Sequence, residues 1–124
     1  MARFLLCDDS AFMRMMLRRI LEHAGHEVVA EAGNGKEAVQ LFRKHNPDLT
    51  TMDITMPIMD GIEAVRLIVQ QDVQARIIMV TAMGQKSIIM SALTAGASDF
   101  LVKPFEVRQV IEVVNKQLKH IYKS

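Results

Sequence analysis

Five short, largely apolar runs, at residues 4–7, 28–32, 49–52, 77–81 and 100–102, recur along the chain with helix-period segments between them. Runs of three to five apolar residues without polar alternation suit strands covered on both faces, which is the condition of a parallel sheet. Parallel neighbours need crossover segments, and the spacing leaves room for a helix in each. The pattern therefore predicts an α/β fold of five βα units, (βα)5, in which a parallel sheet is wrapped on both faces.

The helical segments carry their own start and stop signals. Ser10 is placed to cap a first helix whose apolar positions Phe12, Met13, Met16, Leu17, Ile20, Leu21 and Ala24 recur at three- and four-residue steps until Gly25. Asn34-Gly35 opens a second, with Ala38, Val39 and Phe42 inward, and Asn46-Pro47 closes it. A third follows Asp60-Gly61 with Ile62, Val65 and Ile68 or Val69 on one face, and a fourth runs over about 85–95 to Gly96. The last carries Val107, Val110, Ile111, Val114, Leu118 and Ile121 on one stripe, with Lys116, Lys119 and Lys123 near its negative C-terminal end. Among the methionines, Met13, Met16, Met52 and Met79 are expected to fill core space; Met83 and Met90 flank the fourth helix, where packing is the expectation and an adaptable partner surface the alternative.

A chain of 124 residues is expected to form one domain, 1–124, able to bury roughly two-thirds of its unfolded surface without disulfides or structural metal. Fifteen Lys and Arg nearly balance fourteen Asp and Glu, so no basic field exists to attract nucleic acid or an anionic membrane. The single cysteine, Cys7, falls inside the first apolar run and reads as a reduced, buried thiol. No run approaches the ~20 apolar residues that a membrane span requires, nor a signal peptide's core. A cytoplasmic protein without nucleic-acid partners or membrane insertion is expected.

Polar residues gather at the ends of the runs. Asp8-Asp9 follows the first, Asp53 the third, Thr81 ends the fourth and Lys103-Pro104 follows the fifth. In an open parallel sheet, ligands bind outside the carboxyl ends of the strands where the strand order reverses. The run from Met52 to Gly61 adds a proline-set turn immediately after Asp53. This constellation resembles the phosphoacceptor site of response-regulator receiver domains over essentially the whole chain, and among them the stand-alone chemotaxis regulators of the CheY type. The resemblance implies a doubly wound, flavodoxin-like sheet of order 2-1-3-4-5, an order for which CheY is itself a known example.

Asp8, Asp9 and Asp53 together carry about −3 if all ionise, which raises apparent pKa values and favours a divalent cation. Mg2+ suits such oxygen donors. By resemblance its direct ligands are Asp9, Asp53 and the main-chain carbonyl of Thr55, with Asp8 acting through a bound water. The resemblance also makes Asp53 the phosphoacceptor, with Lys103, the Thr81 hydroxyl and the Ala82 amide receiving the phosphoryl oxygens. Thr55 and Met83 border that pocket, and the Lys103-Pro104 bond is cis. The resemblance further implies that Thr81 and Phe100 are the switch pair, the hydroxyl swinging toward the phosphoryl group and the ring turning into the vacated space. Phe100 stands where the best-known chemotaxis examples carry Tyr, so no contact through a phenolic oxygen carries over.

The implied partners are a chemotaxis histidine kinase, a flagellar motor switch protein and a phosphatase, met by a monomer. The alternative within the family is a phosphorelay intermediate that passes its phosphoryl group to a histidine-phosphotransfer protein. A flavodoxin-like cofactor binder fits less well, because Asp8-Asp9 would repel a flavin phosphate and no glycine-rich loop follows the first run.

Overall fold

The computed structural model describes residues 1–122. Its elements are β1 (Arg3–Cys7), α1 (Ala11–His23), β2 (Glu27–Ala32), α2 (Gly35–His45), β3 (Leu49–Met52), α3 (Gly61–Gln71), β4 (Ile77–Thr81), α4 (Lys86–Ala95), β5 (Asp99–Val102) and α5 (Val107–Tyr122). The five strands form one sheet in the order β2-β1-β3-β4-β5, and every pairing is parallel. The expected order is thus observed, with the order of strand addition reversing between β1 and β3.

Alternate residues of each strand serve two cores. Leu5 and Cys7 of β1 join Phe42, Val65, Ile68 and Ala92, which places α2, α3 and α4 on one face. Phe4 and Leu6 join Leu17, Leu21, Val110 and Val114, which places α1 and α5 on the other. Burial on both faces is the physical reason that β3 and β4 lack polar alternation of the solvent-facing kind.

The caps act where expected. Ser10 Oγ accepts from Met13 N at 3.2 Å, Asn34 Oδ1 from Glu37 N at 2.9 Å and Asp60 Oδ1 from Glu63 N at 2.8 Å. Asn46 ends α2 in the left-handed region, with φ of 46°. Lys119 lies in the last turn of α5, whereas Lys123 falls outside the described residues.

Several apolar expectations change. Met52 and Met79 are fully buried and Met13 packs partly against the core, but Met83 and Met90 are exposed rather than packed. Phe12 and Val107 lie on the expected apolar stripes yet face solvent, because each sits in the first turn of its helix at the carboxyl edge of the sheet. Gln117, by contrast, is only 2% exposed on α5. Its Nε2 donates to Asp99 Oδ2 at 3.1 Å, while its Oε1 has no hydrogen-bond partner among the described residues.

Two glycines in the second and third units are required by contact. A Cβ at Gly61 would lie 1.8 Å from the Asp53 carbonyl oxygen, and one at Gly35 would lie 2.4 Å from that of Met59. The loop from Asp53 to Gly61 is drawn tight, since Gly61 N donates to Ile54 O at 2.8 Å and Gly35 N to Met59 O at 2.9 Å. Ile58 at its tip adopts a φ of 70°, a left-handed conformation that a β-branched side chain resists.

Candidate functional site

Register brings the polar residues to one edge. Cys7 of β1 pairs with Ala32 of β2 and with Met52 of β3, while Thr81 of β4 pairs with Val102 of β5. Backbone pairing continues one residue further: Asp8 N donates to Ala32 O at 3.0 Å, Asp53 N to Cys7 O at 2.9 Å and Lys103 N to Thr81 O at 2.8 Å. Each of the three functional side chains therefore leaves a backbone already fixed by the sheet. The reversal between β1 and β3 opens the crevice in which Asp8 and Asp53 meet.

Asp8 and Asp53 are buried and Asp9 is exposed, and one carboxylate oxygen from each lies within 4.8 Å of the others. Lys103 reaches into this group. Its Nζ donates to Asp8 Oδ2 at 2.8 Å and to Asp53 Oδ2 at 3.3 Å, and the Lys103-Pro104 bond is cis, as expected. The second oxygens are also engaged: Ser10 N donates to Asp8 Oδ1 and Ile54 N to Asp53 Oδ1.

Burial is the main reason that the Asp53 carboxyl is held above its ordinary value, with Asp8 adding repulsion and Lys103 opposing both. For Lys103, burial alone would lower the pKa, but the Asp8 hydrogen bond and the charges of Asp53 and Asp8 outweigh it, so the ammonium is held above its usual range. At neutral pH the crevice contains one fixed cation among crowded carboxylates. The donor set is all hard oxygen, clustered at a distance that one ion can bridge, and so fits a divalent cation such as Mg2+.

Thr81 is buried, and its hydroxyl oxygen accepts from Met83 N at 3.0 Å. Thr55 and Met83, expected as border residues, meet each other: Thr55 Oγ1 donates to Met83 Sδ at 3.3 Å, linking the loops after β3 and β4. Ala82 is exposed beside them. Phe100 is 40% exposed, so its ring faces outward here. Met90, Leu93, Val102 and Val107 are also exposed on α4, β5 and α5, and α4 fully buries only Ala92. Cys7 is a free, buried thiol beside the site, and burial pushes its pKa far above the usual range.

Two contributors carry no motif signal. Arg14 Nη1 donates to the Asp8 carbonyl oxygen, and Arg14 Nε donates to Glu31 Oε1 at 2.9 Å. Neither residue stands at a strand end facing the crevice, and helix periodicity leaves Arg14 indistinguishable from a solvated arginine. A concavity of about 730 Å3, lined in part by Asn46, Asp72, Arg76 and His120, lies elsewhere and shares no residue with the carboxylates.

A doubly wound sheet with three carboxylates and a lysine at its switch point defines a phosphoacceptor signalling module, not a dinucleotide or flavin domain. The model of the response regulator receiver domain matches residues 4–115. The chain is 59% identical over 116 residues to Chemotaxis protein CheY of Bacillus subtilis (strain 168), covering 94% of this chain and 97% of that protein. It is 51% identical over 117 residues to Chemotaxis protein CheY of Thermotoga maritima, covering 94% and 98%. Among solved structures, CheY in the CheX–CheY–BeF3–Mg2+ complex from Borrelia burgdorferi superposes with a TM-score of 0.88 at 34% identity, covering 97% of this chain and 88% of that one. The chain belongs to the response regulator receiver domain family. Among the described residues, no helix is long and apolar enough to cross a membrane.

Proposed function

We propose that Asp53 accepts a phosphoryl group from a phosphohistidine of a chemotaxis histidine kinase, and that the phosphorylated chain signals by binding a flagellar motor switch protein in the cytoplasm. The observation that carries this reading is one buried carboxylate, Asp53, within reach of two further carboxylates and one ammonium group at the switch point. The names of the Bacillus and Thermotoga relatives support the chemotaxis assignment.

A carboxylate oxygen of Asp53 attacks phosphorus while the bond from phosphorus to the donor nitrogen breaks on the opposite side, and the electron pair leaves with the imidazole. Asp9, Asp53 and the Thr55 carbonyl would hold Mg2+, with Asp8 acting through a water. Mg2+ would supply charge neutralisation at the phosphoryl oxygens. Lys103 keeps its bond to Asp8 and moves its second contact from Asp53 to a phosphoryl oxygen. The Thr81 hydroxyl donates a hydrogen bond to another phosphoryl oxygen as it turns away from Met83 N. The space left behind admits the Phe100 ring, and the exposed apolar face of α4, β5 and α5 repacks for the partner. A phosphatase of the kind named in the Borrelia complex, CheX, would reset the signal.

Incubation with acetyl phosphate and Mg2+ tests the acceptor. One base-labile adduct at Asp53 is expected, and undiminished labelling of Asp53→Asn would overturn the assignment. Capture on the phosphorylated and unphosphorylated forms side by side tests the partner: a motor switch protein held only by the phosphorylated form is expected.

A further inference from the structure

We propose that Arg14 is a positioning residue for the cation site, anchored by Glu31, so that β2 acts on a crevice into which it places no side chain. The proposal rests on the reading of Asp8, Asp9 and Asp53 as a cation site.

Arg14 stands on the first turn of α1 and Glu31 near the end of β2, the edge strand on the far side of β1 from the crevice. One guanidinium makes two bonds in different directions. Its Nε meets Glu31 Oε1 at 2.9 Å and its Nη1 meets the Asp8 carbonyl oxygen at 2.5 Å. The planar fork of Arg permits this with one rigid group, whereas the single ammonium of Lys cannot hold both partners in that geometry. Glu31 is itself fixed: its other oxygen receives Arg18 Nε at 2.9 Å and Nη2 at 2.7 Å. Both arginine contacts are partly shielded from water, with Glu31 29% exposed, so they hold better than a fully solvated pair.

The consequence falls on the peptide joining the two acidic residues. Asp8 is fixed at its amide by Ala32, at its carbonyl by Arg14, and at its carboxylate by Ser10 and Lys103. The carbonyl of Asp8 belongs to the peptide plane that carries Asp9 N, so the Arg14 bond sets where the exposed Asp9 carboxylate begins. No other described side chain donates to that carbonyl.

Arg18 provides the internal control, because it pairs with the same Glu31 and makes no contact with Asp8. Mg2+ binding by calorimetry and amide exchange of Asp8 and Ser10 in metal-free buffer are measured on the full chain for wild type, Arg14→Ala, Arg14→Lys, Arg18→Ala and Arg14→Ala/Glu31→Ala. Arg14→Ala is expected to weaken Mg2+ binding about tenfold and to speed both amides, with Arg14→Lys restoring little. Arg18→Ala is expected to leave Mg2+ affinity unchanged, and the double variant to bind no more weakly than Arg14→Ala alone. Wild-type affinity and exchange in Arg14→Ala would overturn the proposal, as would equal weakening by Arg18→Ala, which would reduce both arginines to packing of α1 on β2. Either result leaves the cation reading standing. A wild-type protein that binds no Mg2+ would overturn that reading and this role of Arg14 with it.

Discussion

The Thr81 hydroxyl oxygen accepts a hydrogen bond from the Met83 amide at 3.0 Å, which ties the end of β4 to the loop before α4. The same oxygen is the one proposed to report the phosphoryl group, so the proposed motion would release the loop. Phe100, on the neighbouring strand β5, faces outward in the same structure.

Thr81→Ala should therefore still be labelled at Asp53 but transmit poorly. Affinity of the fully phosphorylated variant for the captured partner is expected to fall roughly tenfold, within the usual range of coupling between sites. A binding titration normalised to phosphoryl occupancy checks this, and wild-type affinity would mean that another route carries the signal.

Asp53→Asn should raise the unfolding midpoint in chelator-treated buffer. The folded protein holds the Asp53 carboxyl above its ordinary 3.8, so ionisation at neutral pH is penalised in the fold, chiefly by burial. The amide carries no charge and keeps an acceptor for Lys103. Urea denaturation of both proteins in chelator gives the sign directly, and a lower midpoint for the variant would contradict this account of the crevice.

Ile58→Asn is expected to stabilise the protein by about 1 kcal/mol, by relieving a β-branched residue from the left-handed region. The side chain is 79% exposed at φ 70°, so little burial is lost. Equilibrium denaturation checks the gain, with phosphorylation rate measured alongside because the loop leads from Asp53 to Gly61.

Glu31 supplies a pH signature. Burial alone would raise its pKa, but Arg18 and Arg14 outweigh it and hold the carboxyl below its ordinary 4.5. The stabilisation from this depressed pKa is present above 4.5 and is lost as pH falls through the lower folded value. Glu31→Gln should cost about 1 kcal/mol at neutral pH, with the difference from wild type shrinking on acidification through that window. Parallel denaturation series across acid pH test the crossing.

Strand identity was legible because burial on both faces leaves largely apolar runs without regular polar alternation, and β3 and β4 begin and end where the runs do. β1, β2 and β5 each start one residue earlier, at Arg3, Glu27 and Asp99, because strand ends are set by backbone pairing that hydropathy does not register. The caps Ser10, Asn34 and Asp60 were readable for the opposite reason: a cap is a local bond within a few residues.

The sequence by itself determined the order of elements and which residues stand at strand ends, since both follow from local periodicity, and the family resemblance joined Asp8, Asp9, Asp53, Thr81 and Lys103 into one site. Only the tertiary structure decided that Lys103 bridges Asp8 and Asp53, that Thr55 meets Met83, that Phe100 faces outward while Gln117 is buried, and that Arg14 and Glu31 brace the Asp8 backbone. These relations join residues distant in the chain, and hydrogen-bond geometry between such residues is fixed only when the sheet register brings their backbones to one edge.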